Sequence, residues 1–209
     1  MRKAFDRDLN VKGILEEAEL NNLILDEKDS SAGLAHELSA IVLTGRTGFE
    51  PPVLWLDGDN SFNPYRVSEL SRNYGLIPEQ ALGEVFISRA FTCYQMMSLI
   101  FDRLEEAVER LGPEFIVITG LPSLFSGSDL PEREALRAFD PVVKSLKKFL
   151  DTDVAILLTG SRFGEKNEFT SRLESISDHV TGPEKGNPSL RKNGSPQAAA
   201  RTPSLEEFA

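Results

Sequence analysis

The segment Val53–Asp57, which reads Val-Leu-Trp-Leu-Asp, is the feature that most constrains the fold. This apolar run ends in a carboxylate and is followed by a turn of small and polar residues, Gly58 to Ser61. Such a run is typical of a strand buried on both faces. Ligands of open α/β sheets bind beyond the carboxyl ends of the strands. Asp57 and Asp59 are therefore candidate site residues, although a turn that caps the next helix explains them equally well.

Strand and helix patterns alternate along much of the chain. Further strands are predicted at Leu23–Leu25, Glu84–Ser88, Phe115–Thr119 and Val154–Thr159, and helices at Gly33–Leu43, Pro64–Tyr74, Glu79–Leu82, Tyr94–Leu111 and Glu132–Leu150. Gly120–Pro131 is predicted to be a loop, and Arg172–Val180 to hold short strands. The alternation predicts an α/β fold with a mostly parallel central sheet and helices on both faces.

The chain length and local composition predict one main domain. Its 209 residues suffice for a single α/β core. We expect residues 1–20 to form an N-terminal arm with a helix, and residues 21–181 to form the core domain. Residues 182–209 are rich in Gly, Pro, Ser, Asn and Ala, which predicts a loop, a hairpin or a flexible tail.

Charge and cysteine content restrict the function classes. The net charge of −10 disfavours nucleic-acid binding by bulk electrostatics. Cys93 is the single cysteine, so no intrachain disulfide can form, and a small buried apolar role is expected for it. No cluster of His and Cys suggests a zinc site, and His36 is expected to be a packed or surface residue. No apolar run is long enough to span a bilayer, and the N-terminus lacks the apolar core of a signal peptide, so a cytoplasmic setting is expected.

Several linked motifs resemble the ATPase core of RecA/RadA-type recombinases, most closely the archaeal and eukaryotic branch. The motifs are Leu56–Phe62 with Asn63–Arg66, Gly75–Pro78, Ile87–Phe91 and Thr119–Ser126. In that family they read like IDTENTF with RPER, GLDP, YARAF and DSLTSHFR. The resemblance runs from about Leu23 to about Thr159. It implies a RecA-like three-layer α/β/α fold.

The phosphate loop of the family has no counterpart in the expected place. Active members carry G-x-x-x-x-G-K-[ST], whose amides, lysine and hydroxyl hold the phosphates and magnesium. The equivalent stretch here is Asp26–Gly33, where no glycine precedes Gly33 and the single lysine, Lys28, lies early. Its acidic residues would repel phosphate oxygens: Asp26, Glu27 and Asp29. The resemblance thus implies a degenerate loop.

Two further nucleotide elements also depart from the family pattern. Thr119 stands where the family has the aspartate that holds magnesium, and Gly160-Ser161 follows the next strand where the family has a glutamine. A neutral hydroxyl is a weak partner for Mg²⁺. Only the water-positioning carboxylate has a counterpart, the vestigial Asp59, which is shorter than the family's glutamate. We therefore expect no ATP hydrolysis, no bound cofactor and no metal.

The leading hypothesis is a non-catalytic paralogue in DNA repair and homologous recombination. Such a chain would help or regulate a RadA-type recombinase or another paralogue. The segment Phe86–Phe91 borders the surface that accepts a neighbour's linker in the family. Phe86, Arg89 and Ala90 are therefore the candidate interface residues.

Two alternatives remain open at the level of sequence. The first is an ATPase with an unusual site, in which Lys28 or Arg46 serves the phosphates and Asp57 and Asp59 bind Mg²⁺. The second is a module with weak single-stranded DNA contact. Its candidates are Arg162, Lys166 and Arg172, interleaved with Phe163 and Phe169, because basic residues combined with aromatic rings bind single strands.

Overall fold

The computed structural model describes residues 23–27, 31–46, 48–149, 152–160, 167–177, 179–182 and 189–192. The predicted N-terminal arm, residues 1–20, lies outside these residues, as do most of the predicted tail and the basic residues Arg162 and Lys166. No helix in the described part of the chain is long and apolar enough to cross a membrane.

The described strands form one sheet in the order β3-β2-β4-β5-β1-β6-β7. Their bounds are β1 Leu23–Glu27, β2 Val53–Asp57, β3 Val85–Arg89, β4 Phe115–Thr119, β5 Ala155–Gly160, β6 His179–Gly182 and β7 Ser189–Lys192. All neighbouring pairs are parallel except β6 with β7, which form an antiparallel pair. The prediction of an α/β fold with a mostly parallel sheet is confirmed.

The helices cover both faces of the sheet. They are α1 Ser31–Val42, α2 Pro64–Asn73, α3 Pro78–Gly83, α4 Cys93–Ser98, α5 Leu104–Leu111, α6 Leu121–Ser126, α7 Glu132–Phe149 and α8 Glu168–Glu174. A π-helical turn, Leu99–Arg103, joins α4 to α5, so the single helix predicted for this stretch carries an irregular centre. The other long helices begin and end within two residues of their predicted bounds.

Two predicted segments differ from the structure. The loop predicted at Gly120–Pro131 contains α6, whose Leu121 and Phe125 are buried under the sheet. Its Ser, Gly and Pro content indicates a loop, but a proline in the first turn of a helix is favourable. Of the range Arg172–Val180, predicted to hold short strands, the first part is the end of α8, because Asn167 caps a helix there by accepting from Thr170 N–H. The last part does form a strand, since β6 begins at His179.

Alternation along the strands builds two cores, one on each face. Val53 and Trp55 of β2 pack with α1 and the residues around α2 and α3. Leu54 and Leu56 pack with the helices from α4 to α8. All five residues of β2 are buried, as expected for a strand covered on both faces. The carboxyl ends of the strands therefore form a defined edge of the sheet on which a site can be sought.

Candidate functional site

A row of polar residues crosses the sheet at the carboxyl ends of its central strands. In register across the sheet lie Arg89, Asp57, Thr119, Thr159 and Asp26. The side chains of Asp57, Thr119 and Thr159 are each at most 2% exposed. Every second residue of a strand points to the same face, so these three share the α1 face with the Trp55 core. In an α/β protein this is the edge at which a ligand site is expected.

The Asp57 carboxylate is surrounded by donors from the protein itself. Its Oδ1 accepts hydrogen bonds from Ser61 N–H at 2.9 Å and from the Thr119 hydroxyl at 3.0 Å. Its Oδ2 accepts from Phe62 N–H at 3.3 Å and lies 3.3 Å from Arg89 Nε. Two carboxylate oxygens offer about four lone-pair directions, and four donors use them. Asp57 therefore fixes the turn after β2 and links β2 to β3 and β4.

A magnesium ion does not fit this arrangement. Mg²⁺ requires oxygen ligands with free lone pairs, usually from carboxylates. The carboxylate oxygens of Asp57 already interact with donors of the protein, and the Thr119 hydroxyl directs its hydrogen at Asp57. The Arg89 guanidinium also places a positive charge next to the carboxylate. Among the residues that the structure describes, no group of three or more His, Cys, Asp or Glu side chains is arranged to hold a metal ion.

The main chain closes the space immediately beyond β2 and β4. Gly58 N–H donates to the Thr119 carbonyl at 3.0 Å, and Gly120 N–H donates to the Thr159 carbonyl at 2.9 Å. A Cβ on Gly58 would lie 2.5 Å from that Thr119 oxygen. A Cβ on Gly120 would lie 2.7 Å from Asp59 N. The two turns are thus packed backbone against backbone, which only glycine permits.

The connection between β1 and α1 is short. β1 ends at Glu27 and α1 begins at Ser31, so residues 28–30 are all that separates strand from helix. A phosphate loop needs six residues, G-x-x-x-x-G, before its lysine. The stretch equivalent to this loop is Asp26–Gly33, and part of it forms the end of β1 and the start of α1 instead.

Asp59 lies apart from the buried row. It is exposed and sits in the turn after β2, next to Asn60, whose φ is +54°. Asn tolerates this left-handed conformation better than most residues. The turn leads to Asn63, whose side chain accepts hydrogen bonds from Tyr65 and Arg66 N–H and caps α2. Asp57 therefore makes the turn, as the turn-and-cap explanation expects, whereas the cap of α2 is Asn63 and neither Asp57 nor Asp59.

His36 is the site residue whose role the sequence did not reveal. It is 2% exposed, and its Nε2 accepts a hydrogen bond from Asn63 N–H at 2.8 Å. Its ring centre lies 4.8 Å from that of Trp55 and 5.7 Å from that of Phe62. His36 thus ties α1 to the turn before α2. The only signal in the sequence was its place on the apolar face of a predicted helix.

Comparison with protein families places this geometry in context. The Rad51 family model matches residues 3–168. The chain belongs to the Rad51 family. It therefore has a RecA/RadA-type recombinase core, and its role is related to recombination and repair. The match begins upstream of the point at which the motif resemblance started.

The predicted interface residues of this Rad51-family chain lie on or beside the edge strand β3. Phe86 is 40% exposed, and its neighbour Ile87 is exposed to the same degree. The side chain of Arg89 is 44% exposed and bonded to Asp57. Ala90 is 1% exposed and belongs to the hydrophobic core, so it cannot itself touch a partner in this conformation. Phe91 follows at 68% exposure and extends the apolar surface.

Of the three predicted DNA-contact residues, only Arg172 lies within the described residues. Its guanidinium donates to the Leu136 carbonyl at 3.0 Å and is paired with Asp140 and Glu168. The hydrogen bond to Glu168, with the nearby charges, raises the pKa of Arg172 further above its ordinary value. These contacts join α7 to α8. The guanidinium is thus already engaged within the protein.

Proposed function

We propose that this Rad51-family chain does not hydrolyse ATP and acts as an accessory partner of an active recombinase. The observation that carries the proposal is the three-residue connection between Glu27 and Ser31. Three residues cannot supply the ring of amides that surrounds a β-phosphate in phosphate loops. The donor-filled Asp57 carboxylate supports the same conclusion, because it offers no lone pair to a metal.

The described residues give little support to the alternative that the chain is an ATPase with an unusual nucleotide site. Asp57 is engaged in the turn, and Arg46 is exposed in the segment that follows α1, at the opposite end of this helix from the strand ends. Lys28 lies outside the described residues. The fit between these residues and a magnesium–nucleotide complex is therefore poor.

Titration calorimetry with ATP and Mg²⁺ tests the first half of the proposal. We expect no heat of binding up to high micromolar nucleotide. A Rad51-family protein with an intact G-x-x-x-x-G-K-[ST] loop, titrated in the same buffer, is the positive control. Saturable binding by this chain, followed by turnover that Asp59→Ala abolishes, would contradict the proposal and favour the ATPase alternative.

The accessory role depends on a surface that can accept a recombinase. β3 is an edge strand of the described sheet and carries the exposed side chains of Phe86 and Ile87. An edge strand offers unpaired main-chain groups to which a partner's extended segment can add. Apolar side chains beside that edge supply pockets or contacts for the partner's side chains.

Binding to an immobilised RadA-type recombinase tests the second half. Phe86→Asp should weaken the complex at least tenfold, since it places a charge on the apolar edge. Tyr65→Asp is the matched control, because Tyr65 is an aromatic residue that is 84% exposed on α2. Absence of binding by the unmodified chain would refute the accessory role. Equal loss in both variants would instead show that the β3 edge is not the surface that accepts the recombinase.

A further inference from the structure

The exposed face of α7 carries a stripe of cations. The stripe consists of Arg133, Arg137, Lys144, Lys147 and Lys148, all of which are exposed. At 3.6 residues per turn these positions fall within an arc of roughly 100°. The opposite face of the helix is buried through Ala135, Phe139, Val142 and Leu146. With a rise of about 1.5 Å per residue, the stripe is about 22 Å long.

The stripe is positively charged although the protein as a whole is acidic. The whole chain has a net charge of −10, yet no ion pair of the described residues involves any member of the stripe. Asp140 is the acidic residue on the same face, and its carboxylate is bound by Arg172. The local charge along the stripe is therefore positive, against the sign of the molecule.

The helix dipole accounts for only one end of the stripe. Lys147 and Lys148 lie in the last turn of α7, where cations are favoured by the negative end of the dipole. Arg133 lies in the first turn, where the dipole disfavours a cation, and Arg137 lies beyond the turn on which the dipole acts. They also line a cleft of about 370 Å³ between α7 and α8, whose other charged lining residues are Glu132, Asp140, Glu168 and Arg172. The continuation of the stripe into the first half of α7 needs an explanation other than helix stability.

We propose that the α7 stripe binds the phosphate backbone of duplex DNA. A duplex carries one negative charge per about 1.7 Å of its axis with both strands counted, so the length of duplex beside a straight 22 Å row of cations carries roughly a dozen phosphates. The aromatic residues of α7 face inward, with Phe139 buried and Phe149 half-buried. Without stacking platforms the stripe suits backbone contact with paired DNA better than capture of a single strand.

The family to which the chain belongs favours DNA over an acidic protein as the ligand of the stripe. Membership of the Rad51 family places the protein in recombination and repair, where duplex DNA is at hand. The inference rests on the charge and length of the stripe together with that membership, and it stands whether or not the chain hydrolyses ATP or joins a recombinase. It also assigns DNA contact to a helix face and not to the sequence-based candidates Arg162 and Lys166.

Fluorescence anisotropy with a labelled duplex of three helical turns tests the proposal. Binding should be measurable at low salt and fall with salt at a log–log slope of roughly −3 to −4.5. The variant Lys144→Glu/Lys147→Glu/Lys148→Glu should bind at least tenfold more weakly. The matched control is Arg72→Glu/Arg103→Glu/Arg110→Glu, which changes three exposed cations elsewhere by the same total charge. We expect it to lose no more than threefold.

Each other outcome overturns the proposal. Absence of binding at low salt, or equal loss in both charge-reversal variants, would mean that the stripe has no specific role. Loss only on Arg162→Glu/Lys166→Glu would assign the contact to those two residues instead. Stronger competition by single-stranded DNA, or equal competition by polyglutamate at the same charge concentration, would exclude duplex DNA as the preferred ligand. The neutral variant Lys144→Gln/Lys147→Gln/Lys148→Gln repeats the test if the glutamate variant does not fold, as judged by circular dichroism.

Discussion

Asp57 is a structural carboxylate at the position where a metal ligand would be sought. Replacing it by alanine leaves the N–H groups of Ser61 and Phe62 and the hydroxyl of Thr119 without their acceptor. Arg89 is half exposed, so water solvates it once its partner is lost. The cost therefore comes from the buried donors, and we expect Asp57→Ala to lower the free energy of unfolding by roughly 3 kcal/mol. Urea denaturation with and without Mg²⁺ measures this loss.

Asp59→Ala is the control for this substitution, since Asp59 is an exposed carboxylate two residues away. A surface change of this kind should alter the free energy of unfolding by less than about 0.5 kcal/mol. If Asp57 were a metal ligand, Mg²⁺ would stabilise the unmodified chain and not the Asp57 variant. A dependence of that kind would contradict the structural role.

His36 can be tested through the fluorescence of Trp55, the single tryptophan of the chain. His36→Ala removes the acceptor of Asn63 N–H and opens the packing between Trp55 and Phe62. We expect a loss of roughly 2–4 kcal/mol and a red shift of the Trp55 emission as water reaches the ring. An unchanged emission maximum together with unchanged stability would show that His36 does not support this cluster.

Single residues illustrate how far the sequence determines the site. Asp57 was identified from its place at the end of an apolar run, because that pattern is local. Its partners Thr119 and Arg89 are separated from it by tens of residues and meet it only through strand register. His36 bonds to Asn63 for the same reason. Contacts of this kind follow from the assembled sheet, so the sequence alone could not reveal them.

At the scale of elements, the junction of β4 with α6 depends on Gly120. Its φ of +68° and its contact with Asp59 both exclude a side chain. Gly112 allows the cost of the backbone conformation to be measured without a steric clash, since its φ is +63° but nothing lies within 4 Å of a Cβ added there. Gly112→Ala should cost about 1–2 kcal/mol for the backbone alone. Gly120→Ala should cost about 1–3 kcal/mol more.

Thermal unfolding of the two glycine variants, compared with the unmodified chain, gives the difference directly. Equal costs would mean that the turns after β2 and β4 can separate at little cost. The space beyond the strand ends would then be open to a ligand after all. A larger cost for Gly120→Ala supports the closed junction on which the assignment of Asp57 as a structural residue depends.

The elements themselves were predicted unevenly, and the reasons are physical. β2 and α7 carry strong periodic patterns over their whole length, so the structure reproduces them within one residue. α6 has six residues and α8 has seven, which is too short for a periodicity of 3.6 to become visible. The π-helical turn between α4 and α5 inserts no proline or glycine, so no local signal marks it. Tertiary packing therefore decides these short elements.

At the scale of the whole molecule, the distribution of charge is compatible with both the accessory role and DNA contact through α7. Acidic residues outnumber basic ones by 33 to 23, while α7 presents a basic face whose one carboxylate, Asp140, is paired with Arg172. General acidity suppresses unspecific attachment to DNA, so we expect attachment to depend on a local basic surface such as the α7 stripe. An accessory protein that meets duplex DNA through α7 would leave the β3 edge available to a recombinase.

The same excess of acid predicts how stability responds to salt. Self-repulsion of a net charge of −10 weakens the folded state, and added NaCl shortens the Debye length from about 30 Å at 0.01 M to about 8 Å at 0.15 M. We expect the melting temperature to rise by about 2–4 °C over this range, which corresponds to roughly 1 kcal/mol. The control variant Arg72→Glu/Arg103→Glu/Arg110→Glu takes the net charge from −10 to −16, since each substitution adds −2, and should show a steeper rise. A melting temperature that falls with NaCl would instead mean that attractive ion pairs, such as those of Arg172, outweigh the repulsion.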